Sequence, residues 1–350
     1  AGIASIKLGA SSYNYTGKAV APAVTVKDAD GKTLRNGTDY TVSYSNNIVP
    51  GTASAKVTFK GAYTGSKTFN FTINQLPATK NISFTSATSS ITLKWDKVTN
   101  ADGYKVYIKT SKGWSEIGSS TKNTLKVTKT ASGKKLSSGT RYTFMVKPYA
   151  KVGSKVYVSD ASKSIYTATM AAATTKVTVS QTTSSITLSW KKISGADSYR
   201  VYKYNTKTKK YELYKGVEGT KLTIKKLKSG TTYKYLVRAV TLTADKVKVI
   251  GEEKKITAST KPAAPKISLS AKGTAVALKW KSVTGATGYE IYMKGSGKTK
   301  LIGTVKSSKT SFTQKKLKKG AKYTFSVRAY RTVDGKKIYS DYAKKTVTIK

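Results

Sequence analysis

Apolar and polar residues alternate along most of this chain with a period of two. In Ile91-Thr92-Leu93-Lys94-Trp95, residues 91, 93 and 95 form one face and residues 92 and 94 the other, the pattern of a strand with a single face on a core. In Tyr104-Lys105-Val106-Tyr107-Ile108, the inner face falls to Tyr104, Val106 and Ile108. No stretch of useful length repeats at helical spacing, so the chain is predicted to be all-β.

The alternation is organised in a block that occurs three times. Each copy opens on a tryptophan, Trp95, Trp190 or Trp280, and reaches a tyrosine nine residues later, Tyr104, Tyr199 or Tyr289. Each closes on Leu-x-x-Gly-x-x-Tyr, with Leu136, Leu227 or Leu317 leading to Tyr142, Tyr233 or Tyr323. Successive tryptophans lie 95 and 90 residues apart, one small domain per copy. Lys147-Pro148 stands where the other copies have Arg238-Ala239 and Arg328-Ala329, which predicts a strand that bends or stops early there.

Residues 1–76 lack the tryptophan and carry other turns. Asp28-Ala29-Asp30-Gly31 follows an alternating run and predicts a hairpin. Further runs at 38–44, 55–59 and 68–73 predict an antiparallel sandwich of short strands. Short joints are expected at Leu76-Pro77-Ala78, at Ala171-Ala172-Ala173 and at Lys261-Pro262-Ala263-Ala264-Pro265, with restricted bending between domains.

On these residues the chain resembles known families. Tyr13-x-Tyr15-Thr16-Gly17, Gly37-Thr38-Asp39-Tyr40, Tyr44-x-Asn46-Asn47 and Gly61-x-Tyr63-x-Gly65 resemble a bacterial immunoglobulin-like module over residues 1–76. The Trp, Tyr and Leu-x-x-Gly-x-x-Tyr positions resemble three tandem fibronectin type III domains, at 77–171, 172–261 and 262–350. The resemblance implies four tandem immunoglobulin-like β-sandwiches in an extended array. The first two aromatics of each copy would be core pillars, and the third a tyrosine corner whose phenol hydrogen-bonds upstream backbone. It also implies a non-enzymatic segment of a secreted or cell-surface protein of a Gram-positive bacterium.

Charge changes the picture most. The chain has 65 basic residues against 16 acidic ones, a net charge of +49. Only six of the basic residues are arginine, so the charge is carried by lysine, a hydrated point charge and not the planar fork that reads phosphates and base edges. This favours diffuse attraction to anionic polymers over nucleic-acid recognition. The net charge rises along the four segments from +5 through +12 and +14 to +18. Lysine-coated strands also keep a repeat array soluble and block pairing of sheet edges.

The candidate chemistry is narrow. With no histidine and no cysteine, histidine-based catalysis, cysteine nucleophiles and the usual zinc sites are excluded. Disulfides are excluded too. The acids are scattered and suggest turn residues rather than a glycosidase pair. Asp28, Asp30 and Asp39 lack the rhythm of a calcium loop. A lysine–asparagine side-chain bond assisted by a buried acid would need an acid that the pattern places inward, and few are. No cofactor is implied. No run is long and apolar enough for a membrane helix. The chain begins at Ala1 without a signal-peptide pattern, which suggests a processed chain or a piece of a longer one.

Two kinds of binding candidate remain. Trp114 beside Lys112, and Tyr211 beside Lys210, offer an aromatic flanked by lysine at a hairpin end, fit to stack on an acidic sugar or simply to cover the sheet edge. Lys225, Lys226 and Lys228, with Lys315, Lys316, Lys318 and Lys319, could form basic turns along the array, or be ordinary solvated turns. The expected partners are an anionic polysaccharide, a cell-wall polymer or a host surface glycoprotein. The expected location is secreted or cell-wall associated, and the expected state monomeric. The alternative is the accessory region of a large secreted glycan-degrading enzyme whose catalytic domain is absent. Nucleic-acid binding has net charge alone in its favour.

Overall fold

The computed structural model describes residues 2–350, and among them every regular element is a β-strand. The chain divides into two compact units. The first runs to Met170 and takes in Leu242–Val249, and the second comprises Ala171–Thr241 and Ile250–Lys350.

In the first unit, Ile3–Leu8 pairs antiparallel with Val24–Asp28. A four-stranded sheet stands in the order Ser12–Asn14, Ser66–Asn74, Gly51–Phe59, Tyr40–Ser45. Its first pairing is parallel, so this sandwich is not purely antiparallel as its sequence suggests. The reason is connectivity: Ser12–Asn14 lies at the start of the chain, far from its partner, and no hairpin forces the two to run oppositely. The turn after Val24–Asp28 is closed by the Asp28 carboxylate, which accepts hydrogen bonds from the Lys32 amide at 2.9 Å and the Tyr63 hydroxyl at 2.9 Å.

A three-stranded sheet follows, in the order Thr124–Val127, Ile91–Lys94, Ser83–Ser86. Its companion is five-stranded: Gly113–Ser120, Gly103–Thr110, Arg141–Val152 and Lys155–Val158, with Ile165–Ala168 also on Arg141–Val152. Arg141–Val152 runs unbroken through Pro148, contrary to the expectation of an early stop. The Pro148 carbonyl accepts from the Ser159 amide at 2.9 Å, and Tyr149 still pairs with Gly103. The missing proline donor therefore costs the ladder little.

The buried residues on either side of the Leu76–Ala78 joint form one continuous cluster. Tyr15, Phe71, Ile73 and Leu76 pack into the same core as Ile91, Trp95 and Val98. The Asn100 side chain donates to the Tyr15 carbonyl across that joint at 3.2 Å.

The second unit repeats the arrangement twice. Val177–Gln181, Ile186–Trp190 and Lys221–Ile224 form one sheet. Lys210–Val217, Ser198–Asn205, Thr232–Leu242 and Lys248–Ser259 form the other. In the last part, Ile267–Lys272, Ala275–Trp280 and Ser311–Gln314 face a sheet of Lys300–Lys306, Gly288–Lys294, Lys322–Val333 and Lys336–Tyr339. Ala343–Thr348 also lies on Lys322–Val333.

Each Trp and Tyr pair is built alike. Ring centroids lie 5.3 Å apart, edge to face, for Trp95–Tyr104, Trp190–Tyr199 and Trp280–Tyr289, an arrangement contributing about 0.5–1.5 kcal/mol beyond area burial. The tyrosine hydroxyls accept the amides of Val98, Ile193 and Val283 at 2.8–2.9 Å. All six rings are buried. The corner tyrosines Tyr142, Tyr233 and Tyr323 are half-buried against the same cores. Their hydroxyls accept the upstream amides of Ser137, Lys228 and Lys318 at 3.0, 3.0 and 3.2 Å.

Candidate binding groove of the third sandwich

The strand registers put the three repeats in correspondence. Val106, Val201 and Ile291 occupy one position, and opposite each the outer strand carries a bulge of one extra residue. That extra residue is Ile117, Tyr214 or Ile302. Two positions beyond the valine or isoleucine come Ile108, Lys203 and Met293, paired across the sheet with Phe144, Tyr235 and Phe325.

In the second and fourth sandwiches these positions are apolar and filled. Ile108 is buried and Ile117 packs on the core; Met293 and Ile302, both half-buried, pack on the core of the last sandwich. The third sandwich is built from different residues. Lys203 is half-buried, with its Nζ 5.0 Å from the centroid of the Tyr233 ring. Tyr214 stands outward with 45% of its surface exposed, beside Leu213 at 53%. Tyr235 is fully buried; burial pushes its phenol pKa up, and its hydroxyl finds no hydrogen-bond partner among the described residues.

These exchanges border a cavity of about 850 Å³ between the hairpin of residues 203–214 and the corner of residues 226–234. Its cations are Lys203, Lys226, Lys228 and Lys234, and its rings are Tyr204, Tyr214 and Tyr233. Lys234 Nζ lies 5.7 Å from the Tyr204 centroid, and Tyr204 meets Tyr211 edge on at 5.1 Å. The one carboxylate, Glu212, accepts two bonds from the Asn205 amide at 3.0 Å and one from the Thr208 hydroxyl at 2.7 Å. Those bonds hold its carboxyl below the ordinary range, so it stays ionised and tied to its own hairpin. The lining is thus cationic and aromatic, with four ammonium groups against one satisfied acid.

The structure distributes the sequence-predicted residues unevenly. Lys226 and Lys228 line the groove, Tyr211 buttresses it through Tyr204, and Lys210 and Lys225 are exposed nearby. Lys226 and its counterpart Lys316 both adopt a left-handed backbone, φ 58°, so the two lysine turns are alike in shape. Lys315, Lys316, Lys318 and Lys319 are exposed on the corresponding turn of the last repeat. Trp114 is half-buried on its own hairpin in the other unit, with Lys109 Nζ 5.3 Å from its ring and Lys112 exposed beside it. Sequence reasoning missed Lys203, Tyr204, Leu213, Tyr214 and Lys234 in this role. The available signal was Lys203 in a position where the sister repeats carry isoleucine and methionine.

A second polar cluster lies on the last repeat. Glu290 is buried on Gly288–Lys294 and takes Arg328 Nη2 at 2.7 Å, Arg328 Nε at 3.0 Å, Lys337 Nζ at 3.0 Å and the Tyr292 hydroxyl at 2.8 Å. The Arg328 guanidinium lies 3.6 Å from the Tyr339 centroid and 5.0 Å from that of Tyr342. Burial alone would raise the Glu290 pKa, but the bonds from Arg328, Lys337 and Tyr292 and the charge of Arg328 outweigh it and hold the carboxyl at about 2. This buried acid has no asparagine among its partners within the described residues, so it holds an ion-pair network and not a lysine–asparagine bond. Among the described residues no group of three or more acids is placed to hold a metal. Asp39 caps the Arg35 amide at 2.8 Å.

Paired sheets, an edge-to-face Trp–Tyr pillar and a corner tyrosine accepting an upstream amide define a tandem series of immunoglobulin-like sandwiches. Residues 172–246 and 260–344 match the fibronectin type III domain, two tandem copies in roughly the second half of the sequence. Among solved structures it is similar to a two-domain fibronectin type III segment of chicken tenascin, with 20% identity over 49% of this chain and 97% of that one and a TM-score of 0.33. It is also similar to the FN1–FN3 domains of chicken CNTN1, with 16% identity over 79% of this chain and all of that one and a TM-score of 0.32. No curated protein matches the chain. Tandem fibronectin type III domains fit a non-catalytic stalk or linker region.

Proposed function

We propose that this chain is a stalk and adhesive segment of a secreted or cell-wall-associated protein of a Gram-positive bacterium, binding anionic polymers weakly through its lysine-coated exterior. The observation that carries the reading is the exposure of Lys225, Lys226, Lys228, Lys315, Lys316, Lys318 and Lys319 on like turns of successive repeats, in a chain of net charge +49. Ammonium groups so exposed attract a long polyanion by displacing its counterions, which makes affinity fall with salt. Residues 1–76, read as an immunoglobulin-like module, extend the stalk.

The test is binding of the full chain to polygalacturonate and to teichoic acid at about 50 and 200 mM salt. The expected result is a loss of at least roughly tenfold in affinity across that range, with a neutral glycan not bound. Salt-independent binding to a neutral glycan, lost in Trp114→Ala, would instead favour the accessory region of a glycan-degrading enzyme. A stalk also requires a radius of gyration in solution well above the roughly 20 Å of a compact chain of this length.

A further inference from the structure

We propose that the groove of the third sandwich is a distinct site for a uronic acid residue within an anionic polysaccharide. This rests on the polyanion reading above and narrows it to one place and one sugar chemistry. A repeat array needs its sheets filled, and the second and fourth sandwiches fill this corner with Ile108 and Ile117, or with Met293 and Ile302. The third spends the same positions on Lys203 and Tyr214 and leaves about 850 Å³ beside them. Giving up apolar burial there costs stability without serving the fold, as expected where a ligand and not packing selects the residue.

The chemistry identifies the ligand. Lys203 and Lys234 each lie over a tyrosine ring, which preorganises their ammonium groups at the groove instead of leaving them to sweep through solvent. A carboxylate in the groove is bordered by four lysines, and Glu212 does not compete because Asn205 and Thr208 satisfy it. Tyr214 and Leu213, both substantially exposed, offer an apolar surface adjoining those charges. A pyranose ring has an apolar face, and a uronate carries its carboxylate at the ring's edge, so both features are met by one residue. A bare phosphate polymer would use the lysines and leave Tyr214 and Leu213 idle.

The full chain is titrated calorimetrically at low salt with tetragalacturonate, with the same tetramer reduced to neutral alcohols, with a hyaluronan tetrasaccharide and with tetraphosphate. Tetragalacturonate or the hyaluronan fragment should bind, the tighter of the two naming the source, and the reduced tetramer should not. Lys203→Met and Tyr214→Ile install the residues of the fourth sandwich, which that sandwich already packs, and each should weaken binding by roughly tenfold. Lys60→Ala, an exposed lysine of the first sandwich outside both lysine turns, should change it less than about twofold. Equal binding by K203M, Y214I and the parent overturns the groove while leaving diffuse polyanion binding intact. Tetraphosphate binding as tightly as the uronate, with Y214I without effect, overturns the sugar chemistry. No binding of any anion at low salt overturns both readings.

Discussion

At the scale of residues, Glu290 is an acid held ionised by its neighbours. Its folded pKa of about 2 lies below the ordinary 4.5, so its contribution to stability is complete above about pH 4.5 and is lost as pH falls toward 2. A depression of that size corresponds to about 3 kcal/mol. Glu290→Gln should therefore destabilise the last sandwich by up to about 3 kcal/mol at pH 7 in denaturant unfolding, and the gap to the parent should narrow by pH 2.5. A gap of constant size at both values would show that lost packing, not charge, sets the cost. This cluster was hard to see in the sequence because Glu290 alternates outward from Tyr289 and Ile291. It is buried only because Tyr339 and Tyr342 arrive from elements some fifty residues later and close over Arg328.

Elements divide into those the sequence makes plain and those it hides. The Trp strands and the corner were legible because period-two burial and Leu-x-x-Gly-x-x-Tyr are local patterns. The groove was not, since Lys203 looks like any lysine on a strand until the three copies are set side by side, with Ile108 and Met293 in its place, and the outward stance of Tyr214 shows only in the folded sheet. Pro148 misled because a strand's tolerance for proline depends on which partner groups are present, and those lie on Lys155–Val158 and Gly103–Thr110. Three substitutions test these elements. Tyr233→Phe removes the acceptor for the Lys228 amide and should cost about 1 kcal/mol in thermal or chemical unfolding. Gly303, on the outer strand of the last repeat, has no room for a side chain, because a methyl there meets the Phe312 ring. Gly303→Ala should cost about 1–3 kcal/mol, whereas Gly297→Ala, with nothing near it, should cost well under 1.

For the molecule as a whole, the joints inside each unit are packed and not merely short. In the first unit Leu76 belongs to the core shared by both of its sandwiches, so Leu76→Ala should cost about 2–4 kcal/mol and split a single calorimetric transition into two. The sequence marked that joint by Pro77 but gave no sign that the core runs through it, since Leu76 looks like the end of a strand run. In the second unit the joint rests on backbone. Gly285 and Gly230 meet so closely that a methyl on either would overlap the other's turn, and both hold left-handed φ, 74° and 57°. Arg331 ties the same place together, donating to the Gly285 carbonyl at 2.8 Å and the Thr232 hydroxyl at 2.9 Å.

That backbone contact has a mechanical consequence for a protein hauled on from its two ends. The close seat bears no tension by itself, but it keeps the two short Arg331 bonds aligned, so the last two sandwiches should resist tension together and part abruptly when those bonds break. In an optical trap, a single shared rupture before either sandwich unravels would mark the glycine seat, and Gly285→Ala should remove that event while sparing the two later ones.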